Sequence, residues 1–182
     1  ATAPVRLLNP DGGAYSTLAA SVTGAIRITL PVGYLSCMLH MKIKIYEYAN
    51  VSSRGISKEI SLGGYLAAST WENTFAYQLT DAGLDLNVRF GNDGAGNTCI
   101  WLGDIGTVWY YPQVFLTEVN LGFFNTNTNN WKSGWTVSFQ TSYNTVNVGP
   151  IVCGKQITSQ NYTSYNSWNS ITSPPITGNW SS

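Results

Sequence analysis

The residues best suited to chemistry in this chain are few: three cysteines, one histidine and nine carboxylates among 182 residues. Cys37 and His40 stand three positions apart, and Cys99 and Cys153 would complete a zinc set of three thiolates and one imidazole. The spacing argues against that set, because residues i and i+3 on a strand project to opposite faces and cannot chelate together. The same geometry separates Cys37 from His40 as nucleophile and base, and no second histidine exists for a Ser-His-Asp arrangement. His40 reads as a solvent-facing strand residue. Asp81, Asp85, Asp93, Asp104 and Glu118 fall at or near the ends of strand-like segments, where glycosidases place an acid and a base, yet no spacing singles out two of them. They read as turn formers. The expectation is a protein that is not an enzyme and that has no catalytic residue, metal or cofactor.

The glycine-rich run 91–97 lies between two strand-like segments, not between a strand and a helix, which excludes a phosphate loop. Asn92, Asp93, Asn97 and Asp104 offer oxygen ligands without the twelve-residue alternation and terminal Glu of a calcium loop, so the run reads as a hairpin turn. Asn-x-Ser/Thr sequons at Asn50, Asn161 and Asn179 are expected by chance in so Asn-, Ser- and Thr-rich a chain. Three cysteines cannot all pair within one chain, so at least one thiol is free or bridges to another chain.

The elements that must position these residues are strands. Residues 25–30, 36–48, 56–66, 71–79, 86–91, 98–103, 112–124 and 134–143 are short runs rich in β-branched and aromatic residues, punctuated by Gly, Asn and Asp. In the second run Cys37, Leu39, Met41, Ile43 and Ile45 share one face while His40, Lys42, Lys44, Tyr46 and Tyr48 share the other. Ile26, Ile28 and Leu30 turn inward on the first run, as do Leu84, Leu86, Val88 and Phe90 around the fifth, which points Arg89 outward. No amphipathic helix is visible. Eight strands predict an all-β, antiparallel, jelly-roll-like sandwich.

The chain divides into a turn-rich lead-in, 1–23, from an upstream shaft or linker, a β-sandwich head, 24–155, and a polar C-terminal arm, 156–182. The arm is studded with Tyr162, Tyr165, Trp168 and Trp180 and reads as packing on the domain or on a neighbouring subunit. Nine basic residues balance nine acidic ones with no basic run, which removes the electrostatic footprint of nucleic-acid binding. No apolar run is long enough to cross a bilayer as a helix. Charge is only 10% of the chain, replaced by Asn, Thr and Ser, a surface that favours an extracellular or virion setting.

Gly24-Ala25-Ile26-Arg27-Ile28-Thr29-Leu30-Pro31, Met41-Lys42-Ile43-Lys44-Ile45-Tyr46-Glu47-Tyr48 and Ser69-Thr70-Trp71-Glu72-Asn73-Thr74-Phe75-Ala76-Tyr77 resemble β-rich domains at the distal ends of phage tail fibres. So does the order of the later segments Val88-Arg89-Phe90-Gly91, Cys99-Ile100-Trp101-Leu102-Gly103, Trp109-Tyr110-Tyr111-Pro112-Gln113-Val114-Phe115 and Trp135-Thr136-Val137-Ser138-Phe139. The resemblance covers residues 24–143. It implies a homotrimeric, non-enzymatic head on a fibre shaft that binds a host-surface glycan or surface protein. It carries over no binding residue, since the family has no universal binding motif.

Strands that alternate in direction bring the loops near Tyr34 and Trp71, the loop 92–97 and the loop 125–132 to one end, with Arg54, Asp81 and Trp109 at the other. The start of the first run and the finish of the last fall at that second end, which would place a shaft there and turn the first end toward a host. The expected receptor-binding surface is therefore Trp71, Asn92, Asp93, Asn97, Asn127 and Trp131. Trp131 would be a stacking platform for a sugar and the amides would read its hydroxyls. A Trp in a loop can equally be a lid on the core. The rival from another class is a structural virion or matrix protein whose aromatics pack between subunits.

Overall fold

The computed structural model describes residues 3–48, 57–79 and 85–155. They form β1 (Val5–Leu8), β2 (Ala14–Ser16), β3 (Val22–Thr23), β4 (Ala25–Thr29), β5 (Cys37–Tyr46), β6 (Ser57–Leu66), β7 (Trp71–Gln78), β8 (Leu86–Asn92), β9 (Thr98–Leu102), β10 (Val108–Trp109), β11 (Gln113–Gly122), a single helical turn α1 (Thr128–Trp131), β12 (Thr136–Gln140) and β13 (Thr145–Lys155). The chain is all-β. All eight predicted runs are present as β4 to β9, β11 and β12, and the turn-rich lead-in adds β1 and β2, which both pair with β11.

One path of neighbouring strands runs β1–β11–β5–β6–β7–β13–β8–β9–β4–β12. The first half, β1 to β7, makes one sheet and the second half another. β13 belongs to both: it runs antiparallel to β8 from Thr145 to Cys153, then parallel to β7 at Gly154 and Lys155. The outer pairings, β4 with β12 and β5 with β11, are those of a ribbon rolled on itself. Inside it, however, β6–β7 and β8–β9 are local hairpins.

Period-two alternation explains the core. On β5 the residues Cys37, Leu39, Met41, Ile43 and Ile45 are at most 3% exposed, and across the sandwich Ile26, Ile28, Val88, Phe90 and Ile100 are fully buried against them. Tyr15 on β2 and Phe139 on β12 meet edge-on at 4.9 Å and close the side away from β13. Residues 141–144 cross the outer face of the second sheet, where Tyr143 rests edge-on against Trp101 at 5.8 Å. Arg89 faces outward there as expected, 4.7 Å from the Tyr143 ring centroid and 2.8 Å from the Asp104 carboxylate.

Every described tryptophan (Trp71, Trp101, Trp109, Trp131 and Trp135) is at most 2% exposed. Burial also pushes the thiols up, Cys37 and Cys99 to about 11 and Cys153 to about 12. A thiol in such surroundings carries little thiolate and reacts slowly. All three cysteines are therefore expected to resist iodoacetamide in the native protein at neutral pH and to label in denaturant, read by intact mass; rapid native labelling of any of the three contradicts their placement.

Candidate functional site

The connections after β4, β6, β8 and β11 do gather at one end. Thr98 donates its backbone N–H to the Val32 carbonyl at 3.1 Å, the Asn125 amide reaches the Leu35 carbonyl, and the Trp71 indole reaches the Gly91 carbonyl at 3.0 Å. What those loops present differs from the expectation. Trp71 and Trp131 are 2% and 0% exposed, so neither ring is available as a stacking platform. Trp131 closes α1, and the turn folds its ring inward beside Trp135 at 6.0 Å, with its indole N–H donated to the Asn125 carbonyl at 2.8 Å. It is the lid on the core.

The polar members of the predicted set serve their own loops. The Asn127 side chain caps α1 by accepting the Asn129 N–H at 3.0 Å. Asn92 accepts from Gly94 N–H, and Asp93 accepts from the Ala95 and Asn97 N–H groups and the Asn97 side chain, all at 2.8–3.0 Å. Partial burial works to raise the Asp93 carboxyl, but those hydrogen bonds outweigh it and hold the group below its ordinary value. The Thr126 hydroxyl donates to the Ala3 carbonyl at 3.0 Å, so the start of the described chain lies at the loop end. Arg54, Asp81, Leu84, the three sequons and the arm 156–182 lie outside the described residues.

Half-buried rings, Tyr65, Phe75 and Tyr77, gather on the outer face of the first sheet with the exposed Phe123 and Phe124; a second exposed pair is Tyr48 and Tyr111, at 5.9 Å. Register brings the first group together. Across β11, β5, β6 and β7, Gly122, Met38, Tyr65 and Glu72 form one row and Asn120, His40, Gly63 and Phe75 the next. Between these rows lies an open groove of about 410 Å³, within the usual size of ligand pockets. Tyr65 lines one side, backed by a run of edge-to-face rings, Phe123 on Tyr65 at 6.0 Å and Phe124 on Phe123 at 5.3 Å. The other is His40 edge-on to Phe75 at 5.4 Å, with Phe75 stacked beside Tyr77 at 6.1 Å. A second hollow of equal volume, around residues 9–14, has Phe115 as its only ring.

A β-bulge builds the groove. Gly63 lies opposite Phe75 and Tyr65 opposite Glu72, so Asn73 and Thr74 together face Gly64. Asn73 takes the left-handed conformation at φ 49°, which Asn tolerates better than most residues, and a Cβ on Gly64 would come within 3.0 Å of the Glu72 carbonyl and the Thr74 methyl. The extra residue reverses the facing of β7: Trp71 points into the core, whereas Phe75 and Tyr77 point out. Phe123, half-exposed at the groove mouth, is held at φ 77°, a costly conformation for a bulky residue.

No family model, curated protein or solved structure matches this chain. The groove must be read from its own chemistry. No Lys, Arg, Asp or Glu lines it. The charged residues of the face flank the lining: Glu72 ends the row of Tyr65, Arg6 lies opposite Asn120, and one row on Glu118 accepts Arg6 at 2.7 Å and lies 3.9 Å from Lys42. Hydrogen bonds from Asn120 and Arg6 hold the Glu118 carboxyl below its ordinary value. Asn120 Nδ2 gives one of its two N–H donors to Glu118 at 2.7 Å, which leaves the other and Oδ1 for the groove, and the exposed Asn73 amide has no partner among the described residues. His40 lies on the outer face as expected, where it is tied by Nε2 to the Ser61 hydroxyl and half-covered by Phe75.

Cys37 faces the core and His40 the groove, and among the described residues no group of three or more His, Cys, Asp or Glu is placed to hold a metal ion. No described helix is long and apolar enough to cross a membrane.

Proposed function

We propose that this chain is a non-enzymatic receptor-binding head domain of a viral tail fibre, displayed on the virion as a homotrimer on an upstream shaft, and that it attaches to the host surface through the groove on β5, β6 and β7. The observation that carries the reading is the groove itself. Rings in an open, uncharged trough beside two amides form a surface for contact, and no pair of carboxylates in it supports hydrolysis. The bulge at Asn73 and the strained Phe123 hold that surface in a costly geometry, a pattern found where structure is committed to function. A shaft joined ahead of Ala3 would meet the domain at its loop end, so the reading puts the contact on the lateral face of the head and not at its tip.

The same exposed rings are what a purely structural virion protein would bury between subunits. The two readings separate on whole cells. Fluorescently labelled full-length chain, incubated with a panel of intact bacterial strains, is expected to show saturable binding to a subset of them. Absence of saturable binding on every strain, together with solvent protection of Tyr65 and Phe75 in the assembled oligomer, favours the structural protein.

A further inference from the structure

We infer that the groove takes an uncharged pyranose residue held between Tyr65 and Phe75, with its hydroxyls read by Asn73, Asn120 and His40; this rests on the recognition reading above and narrows it to one ligand class. A sugar ring has an apolar C–H face, which associates with aromatic rings, and a rim of hydroxyls, which need donors and acceptors at fixed positions. Both halves of that requirement are present. Tyr65 and Phe75 supply rings from adjacent strands, each braced by a further ring, Phe123 on one side and Tyr77 on the other. The Asn73 amide offers both a donor and an acceptor, and Asn120 offers an oxygen whose orientation Glu118 fixes.

Charge selects the class of sugar. A sialic or uronic acid, or a phosphorylated glycan, would bring an anion into a trough that no cation lines, where it would lose water without gaining a countercharge. Arg6 and Lys42, the nearest basic residues on this face, are already engaged with Glu118. A peptide strand is also a poor fit. β5 and β6 are interior strands whose backbone groups are laddered on both sides, so the groove floor offers no free edge for strand addition.

The site is pre-shaped, since the bulge sets Asn73 and the missing side chain of Gly122 leaves the mouth open: an added Cβ there meets nothing within 4 Å. That position supplies a blocking variant, Gly122→Trp, which adds bulk at the groove from a Cβ that has open space around it. Phe75→Ala removes a ring instead.

The test uses the full-length chain on an array of uncharged hexose and N-acetylhexosamine oligosaccharides beside their sialylated counterparts, followed by calorimetry on the strongest neutral binder. Binding to neutral members is expected, with a loss of roughly tenfold or more in Gly122→Trp and in Phe75→Ala, the scale of losing one anchor. Preference for sialylated members overturns the inference, and so does neutral binding that survives both variants. Whole-cell binding read in parallel separates this inference from the broader reading. Cell binding that both variants abolish, with no saccharide bound on the array, overturns the sugar and leaves recognition through the groove standing with a protein receptor. Cell binding untouched by both variants overturns the two together.

Discussion

Replacing Trp131 by alanine is expected to lower the stability of the protein by about 3–5 kcal/mol, the usual cost of emptying a buried aromatic site. The indole is 0% exposed, lies 6.0 Å from the Trp135 ring and donates to the Asn125 carbonyl at 2.8 Å, so its removal leaves both a cavity and an unanswered carbonyl. Because the ring makes no part of the outer surface, binding per folded molecule should not change. Equilibrium denaturation of Trp131→Ala beside wild type measures the first effect, and cell binding normalised to the folded fraction measures the second. An unchanged denaturation midpoint with lost binding contradicts the burial of this ring and restores the stacking platform that the loop composition suggests.

The second large effect is expected at Gly63. A Cβ there would come 2.0 Å from the Leu39 carbonyl oxygen and 3.0 Å from the His40 Cα, both backbone atoms of the neighbouring strand. No rotamer relieves such a contact; β5 and β6 must part, at a cost on the order of 1–3 kcal/mol or more, as in overpacked cores. Gly122→Ala is the matched control, because its added methyl meets nothing within 4 Å and should change stability by no more than about 0.5 kcal/mol. Thermal melts of the two variants are expected to differ clearly. Equal melting temperatures contradict the close approach of β5 and β6 at the groove.

The sandwich was legible because alternation survives in single strands. Cys37 to Ile45 places five buried residues two apart, and the same rule sorts Ile26 and Ile28 or Val88 and Phe90 without knowing any partner strand. The groove was not legible for a related reason. Its members come from four strands, and only register puts Asn120, His40, Gly63 and Phe75 in one row. The bulge at Asn73 and Thr74 hides it further, since unbroken alternation would put Trp71, Phe75 and Tyr77 on the same face, whereas the extra residue sends the first inward and the others out. The clue available in the chain was Gly63-Gly64 inside a strand-like run, a pair that weakens a strand unless the backbone must pass close to something.

The misplaced tryptophan has a different origin. In the polar loop 125–132, Asn127 followed by Thr128-Asn129-Asn130-Trp131 carries the cap of a helix but only one turn of it. A single turn shows no period, so nothing in the residues distinguishes a Trp folded under the loop from one standing on it. The amides around it are polar for the backbone's sake: Asn127 caps the turn, and Asn92 and Asp93 close their own loop. Composition attached the expected contact residues to the loops, while the half-exposed rings of the groove lie on the sheet.

Gly122→Trp in the full-length chain, compared with wild type for binding to the bacterial strain that binds wild type best, tests the groove most directly. Binding per folded molecule is expected to fall by roughly tenfold or more. Full binding by a folded Gly122→Trp protein would contradict it.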